Sequence, residues 1–75
     1  MKEKILIIGR PGTGKTNLGN NLSKLMNYDL VDEVPSAQWL FVNAEPRTVY
    51  VSNSITRAEA TLYLRNFTVI TVVNL

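Results

Sequence analysis

The chain contains no cysteine, which excludes disulfides and thiolate-held zinc or iron–sulfur centres. It contains no histidine either, so the commonest metal ligand and the commonest general base are both missing. Any catalysis must therefore rest on carboxylates, lysine, hydroxyls or a bound cation. Long apolar runs are lacking too. Ile5-Leu6-Ile7-Ile8 falls far short of the ~20 residues needed to cross a bilayer, so no membrane contact is expected. The opening Met-Lys-Glu-Lys leads into no long apolar core and no small-residue cleavage site, which argues against a secretory signal. A cytoplasmic location is the default expectation. Basic residues never stand side by side, and a net charge of +2 is too diffuse to predict nucleic-acid binding from electrostatics.

What is present suits one small folded domain, residues 1–75, with 45% hydrophobic and 19% charged residues. A chain of this size buries only ~60–65% of the surface its unfolded form exposes. Small scaffolds commonly compensate by disulfides, a metal or oligomerisation, and the first is excluded here. No repeat, low-complexity segment or linker interrupts the chain. Strand and helix patterns alternate, which argues for an α/β fold with a largely parallel sheet.

Lys4 to Ile8 reads as a fully buried central strand ending at Gly9. Residues 14–26 carry Leu18, Leu22, Leu25 and Met26 at helical spacing on one face, with Asn27 as the stop. Tyr28 to Val34 reads as a short strand. Pro35 suits the first position of a second helix, in which Ala37, Leu40, Phe41 and Ala44 share a face and which Pro46 ends. Thr48 to Ser52 is β-branched and aromatic, hence a third strand. Thr56-Arg57-Ala58-Glu59 fits a capping box, with Ile55 and Ala60 as its staple, and opens a helix running to about Arg65. Phe67 to Val73 is the fourth strand.

Right-handed crossovers restrict where each strand lies, and the preferred spatial order is 2-3-1-4: a four-stranded parallel sheet in a three-layer fold with three helices. The second and fourth strands are then edges. The fourth is unusually apolar for that place, so pairing of two copies through the Phe67–Val73 edge is expected.

Gly9-Arg10-Pro11-Gly12-Thr13-Gly14-Lys15-Thr16 matches G-x-x-x-x-G-K-[ST] at every defined position, after the best strand and at the opening of an amphipathic helix. Glycines at 9, 12 and 14 allow backbone conformations closed to other residues and a close approach to a polyphosphate. The loop then presents its amides as an anion nest at the positive end of the helix. Lys15 supplies charge for the β and γ phosphates and Thr16 a hydroxyl for magnesium. The expected cradle comprises Gly9 to Thr16, with Arg10, Pro11 and Thr13 between the glycines, and Asn17 just inside the helix.

The loop resembles that of the P-loop NTPases, and its GxPGTGKT form is similar to that of the AAA+ ATPases. That resemblance implies a nucleoside triphosphate, ATP or GTP, with Mg2+. It also implies roles for three further residues. A strand ending in Asp-Glu provides such ATPases with a magnesium-linked aspartate and a glutamate that activates water; here Asp32 and Glu33 follow Leu30-Val31, with Asp29 interrupting the strand. The AAA+ proteins and the superfamily 3 helicases place a polar sensor residue after a strand, and Val49-Tyr50-Val51-Ser52-Asn53 resembles that arrangement through Asn53. The order 2-3-1-4 sets the Asn53 strand between the loop strand and the acidic strand, as in those families. Each has a plainer reading: a polar strand end before Pro35, and an ordinary turn built by Ser52-Asn53-Ser54. No lid is expected after the fourth strand. Arg57 and Arg65 are candidate fingers in a neighbouring subunit or simply solvated charges, and Trp39 and Tyr50 suit core packing better than base stacking.

Three functions stay open. The first is a minimal ATPase with Lys15, Glu33 and Asn53 in catalysis and Thr16 and Asp32 on magnesium. The second is a truncated relative of small nucleotide kinases, with Asp32 binding an acceptor hydroxyl. The third is a nucleotide-binding adaptor or inhibitor that acts on a protein partner without useful turnover.

Overall fold

In the computed structural model, which describes residues 3–73, the chain runs β1 (Lys4–Ile8), α1 (Lys15–Met26), β2 (Asp29–Val31), α2 (Ala37–Asn43), β3 (Thr48–Ser52), α3 (Arg57–Tyr63) and β4 (Thr68–Thr71). All pairings are parallel and the sheet order is β2-β3-β1-β4. This is the expected α/β fold in the expected order. Ile7 stands opposite Val51 on one side and Ile70 on the other, and β1 has neighbours on both sides from Ile5 to Ile8. An unbroken apolar run is what such a strand requires, because both of its faces meet helices.

Alternation along the strands divides the core in two. Ile5, Ile7, Val49 and Val51 face α1, against Leu18, Leu22 and Met26. Leu6, Ile8 and Tyr50 face the opposite layer, where Ala37 and Leu40 of α2 and Ala60 of α3 cover them. Tyr50 is buried edge-on to Phe67, whereas Trp39 is 36% exposed at the surface of α2.

Helix α1 ends where the sequence indicates. Asn27 adopts the left-handed conformation, and the amide of Tyr28 donates to Ser23 O at 2.9 Å. Leu25 departs from expectation: it is 83% exposed. The sheet-facing stripe is centred on Gly19, Leu22 and Met26, and Leu25 falls on its flank. Gly19 sets that centre, because a β-carbon there would lie 2.9 Å from Val51 Cγ2 and 3.2 Å from Leu30 Cδ1. Val51 is a stiff, buried neighbour that cannot swing away. Overpacking costs about 1–3 kcal/mol and glycine-to-alanine in a helix returns up to ~1. Gly19→Ala should therefore destabilise the protein by about 1 kcal/mol in urea unfolding, against the sign that helix propensity predicts.

Several boundaries are corrected. Pro35 is not the first residue of α2. Ser36 caps it instead, its hydroxyl accepting from the amide of Trp39 at 3.0 Å, and Pro35 lies one residue ahead. A hydroxyl satisfies an orphan amide; proline offers no side-chain acceptor. Phe41 is 76% exposed, because the seven-residue helix turns only Ala37 and Leu40 fully into the core. β2 is shorter than Tyr28–Val34: the Tyr28 amide is spent on the helix cap, and Glu33 has a φ of 58°. α3 carries the expected capping box, with Ile55 and Ala60 both buried. It stops at Tyr63 rather than Arg65, since Leu64 turns into the core and accepts from Phe67 N at 3.1 Å. That bond also delays β4 to Thr68. Beyond Thr71 one further bond, Val72 N to Ile8 O at 2.9 Å, holds the chain to β1. Among the described residues no helix is long and apolar enough to cross a membrane. Met1 and Lys2 of the charged opening lie outside the described residues.

Candidate functional site

The turn between β1 and α1 takes the form that its glycines permit. Gly9, Gly12 and Gly14 have φ of 154°, 81° and 86°, a region that side chains disfavour. At Gly12 and Gly14 a β-carbon would meet nothing within 4 Å, so the demand there is for conformation alone. At Gly9 it is also for space, since a β-carbon would lie 2.5 Å from the carbonyl oxygen of Val72.

Gly14 caps α1 without a side-chain bond, whereas Ser36 and Thr56 cap the other two helices. Among the described residues, the first amide of α1 to find a backbone partner is that of Leu18, which donates to Gly14 O at 3.1 Å. The amides ahead of it have no backbone partner, and they lie at the end where the helix dipole is positive.

Lys15 is only 4% exposed. Its Nζ donates to Arg10 O at 2.6 Å, and the Thr13 hydroxyl donates to the same carbonyl at 2.8 Å. The loop thus closes around one carbonyl and holds an ammonium group inside itself. Arg10 and Pro11 lie exposed on its outer side, and Asn17 is exposed on the first turn of α1.

Thr16 and Asp32, sixteen residues apart in sequence, meet here: the Thr16 hydroxyl donates to Asp32 Oδ2 at 3.0 Å. Asp32 is the first residue after β2, at the same end of the sheet as the loop, and its Oδ1 accepts from the amide of Glu33 at 2.7 Å. A hydroxyl beside a carboxylate is a hard-oxygen pair of the kind magnesium prefers. Among the described residues no group of three or more histidine, cysteine, aspartate or glutamate residues could hold a metal. A cation here would have to complete its shell with water and ligand oxygens, as magnesium does with phosphates.

Glu33 is exposed next to this pair. Asn53 follows β3, also exposed, and lines a cavity of about 270 Å³ together with Gly9, Arg10 and Pro11. Asp32 and Glu33 are not part of that lining, so the acidic pair and Asn53 flank the loop without sharing one cavity. A larger space of about 640 Å³ opens on the β4 side, between Gly9, Arg10 and Thr13 and the chain at Thr71–Val73. A third groove, between Phe41 of α2 and Tyr63 of α3, does not touch the loop.

Two positions have roles that the sequence reading did not give them. Ser52 is fully buried; its hydroxyl donates to Val34 O at 2.7 Å and accepts from the amides of Ser54 and Ile55 at 3.1 and 3.3 Å. With Val34 N donating to Val51 O at 2.9 Å, it fastens the Asp32–Val34 segment to the end of β3 and so fixes the carboxylates. A serine closing an otherwise apolar strand was the available signal. Arg57 is the other: its guanidinium donates to the Thr71 hydroxyl at 2.7 Å, joining α3 to β4 within its own chain.

No family model matches the chain. Over 30 residues, 40% of its length, it is 53% identical to the shikimate kinase of Clostridium botulinum strain Loch Maree / Type A3. The same figures hold for the shikimate kinase of strain ATCC 19397 / Type A, and the identity is 50% for that of strain 657 / Type Ba4. The matched stretch amounts to 18% of each of these relatives. They are kinases, so this similarity lies with phosphoryl-transferring enzymes, whereas the AAA+ and superfamily 3 resemblance rests on motifs alone.

Proposed function

We propose that the chain binds magnesium–ATP through residues 9–17. The observation that carries this reading is the uncapped start of α1 behind a loop with three positive-φ glycines and a buried lysine. Amides of the loop and first turn would hold the phosphates, and Lys15 would leave Arg10 O to pair with the β and γ oxygens. Thr16 and Asp32 would hold the cation. Bound there, the nucleotide supplies an activated phosphoryl group and magnesium neutralises its charge.

The match to shikimate kinases supports transfer of that group to an acceptor rather than hydrolysis. In this reading Glu33 orients or deprotonates the attacking hydroxyl or water, and Asn53 contacts the transferred phosphoryl from the other side of the loop. The open, largely uncharged β4 edge supports pairing of two copies.

Calorimetric titration with ATP, ADP and GTP, with magnesium and then with EDTA, tests the binding reading and fixes the base. Magnesium should tighten ATP binding about tenfold, or ~1.4 kcal/mol. In Thr16→Ala that magnesium increment should vanish while magnesium-free binding persists. Equal increments in both proteins would remove Thr16 from the cation site. Phosphate release by wild type and Glu33→Gln then tests hydrolysis: equal, near-zero rates would exclude the ATPase and leave a transferase or a binding module.

A further inference from the structure

The two layers over the sheet are built in opposite ways. On one side α1, twelve residues long, turns Leu18, Leu22 and Met26 onto the strands. On the other side α2 and α3 have seven residues each and bury fully only Ala37, Leu40 and Ala60, two of which are alanines. Their large apolar side chains face water instead. Phe41 and Val42 of α2 are each 76% exposed, and Leu62 and Tyr63 of α3 are 66% and 61% exposed. A helix that needs only the sheet does the reverse, with large apolar residues inward and polar ones outward. Phe41 and Tyr63 line one groove of about 420 Å³ between the helices and share the wall of an adjoining cavity of about 120 Å³. Val42 and Leu62 adjoin them in sequence, so the exposed residues gather on one face.

That face is almost free of charge. No charged residue occurs between Glu33 and Glu45, a stretch that contains the whole of α2. In the groove the charged side chain is Glu59, whose Oε1 already accepts from the amide and hydroxyl of Thr56 at 3.0 and 3.1 Å. Arg57 is drawn off to the Thr71 hydroxyl. Across a twofold axis a patch meets its own copy, so charge of one sign repels itself, whereas an uncharged apolar patch is self-complementary.

The area is also sufficient. At these exposures Phe41, Val42, Leu62 and Tyr63 present on the order of 500 Å². A standard interface takes about 800 Å² from each partner, of which about 65% is apolar in homodimers. One copy thus supplies the apolar part of such a contact. Helices of two turns are marginal by themselves and gain from a second packed face.

We propose that the α2–α3 face is a contact between two copies of this chain, with Phe41 and Tyr63 of each copy packed against the groove of the other. The inference does not depend on nucleotide binding. Pairing through the β4 edge would extend the sheet and leave this face uncovered, so the two contacts are separable.

Sedimentation velocity of the 75-residue protein, from about 10 μM to about 1 mM, reads the association. Mass should rise with concentration, and amide resonances of α2 and α3 should shift with it while those of α1 stay fixed. Val42→Glu and Leu62→Lys lie at exposed positions that the monomer does not need for its core. Each should weaken association at least about tenfold, because a charge would be buried without a partner. Thr68→Asp, exposed on β4, should leave association through this face intact. A wild type that stays monomeric at about 1 mM would overturn the proposal and leave the face to a partner of another sequence. Association abolished by Thr68→Asp but untouched by Val42→Glu and Leu62→Lys would also overturn it, by placing the contact at the sheet edge. If a variant fails to fold, the wild-type resonances decide: concentration-dependent shifts confined to β4 or α1 would overturn the proposal.

Discussion

Lys15→Ala should lose about a hundredfold or more in affinity for magnesium–ATP while the empty protein stays as stable as the wild type. The two halves have different causes. Against a polyphosphate the ammonium would make charge-assisted bonds worth about 1.5–3 kcal/mol each, so two of them account for a hundredfold and more. In the empty protein the same group is a buried cation whose partner is the carbonyl of Arg10. Removing it relieves the desolvation of a charge, and Arg10 O keeps the Thr13 hydroxyl as a donor. Thermal unfolding with and without nucleotide reads both effects together, because ligand binding raises stability by mass action. An equal loss of stability with and without nucleotide would make Lys15 a structural residue and remove its place in the cradle.

Gly9→Ala should be the most damaging single change in the loop for folding, costing about 3 kcal/mol or more. The new β-carbon would lie 2.5 Å from Val72 O, at a backbone φ of 154°. Neither partner can give way easily, since the Val72 amide is itself fixed to Ile8 O at 2.9 Å. A domain of this size has a total stability of only about 4–11 kcal/mol, so the loss would be a large share of it. Gly12→Ala is the internal control. It faces open space and suffers from its φ of 81° alone, which costs about 1–2 kcal/mol. Urea unfolding of both variants should rank Gly9→Ala as the worse. The reverse order would mean that the chain at Val72 moves aside freely.

Some features were legible because one local rule decided them. β1 and β3 needed only their runs of β-branched and aromatic residues. α3 needed only Thr56 and Glu59, three positions apart, and both halves of that capping box form. The strand order followed from handedness once the alternation of strands and helices was recognised. Where two rules competed, the sequence misled. Pro35 and Ser36 both suit the start of a helix, and the hydroxyl prevailed by satisfying an amide. Leu25 and Phe41 obey helical periodicity, but the part of each helix that meets the sheet is narrower than the apolar stripe.

By itself the sequence determined the sheet order, the phosphate-type loop and the residues that compose it. These depend on local conformation, hydrophobic period and chain handedness, all of which act within a few residues or one crossover. Tertiary structure alone decided that Thr16 meets Asp32, that Ser52 secures the acidic segment, and that Arg57 is anchored by Thr71 in its own chain. Each of these pairs is joined by packing of separate elements at one end of the sheet. A hydrogen bond over that sequence separation leaves no periodic trace along the chain.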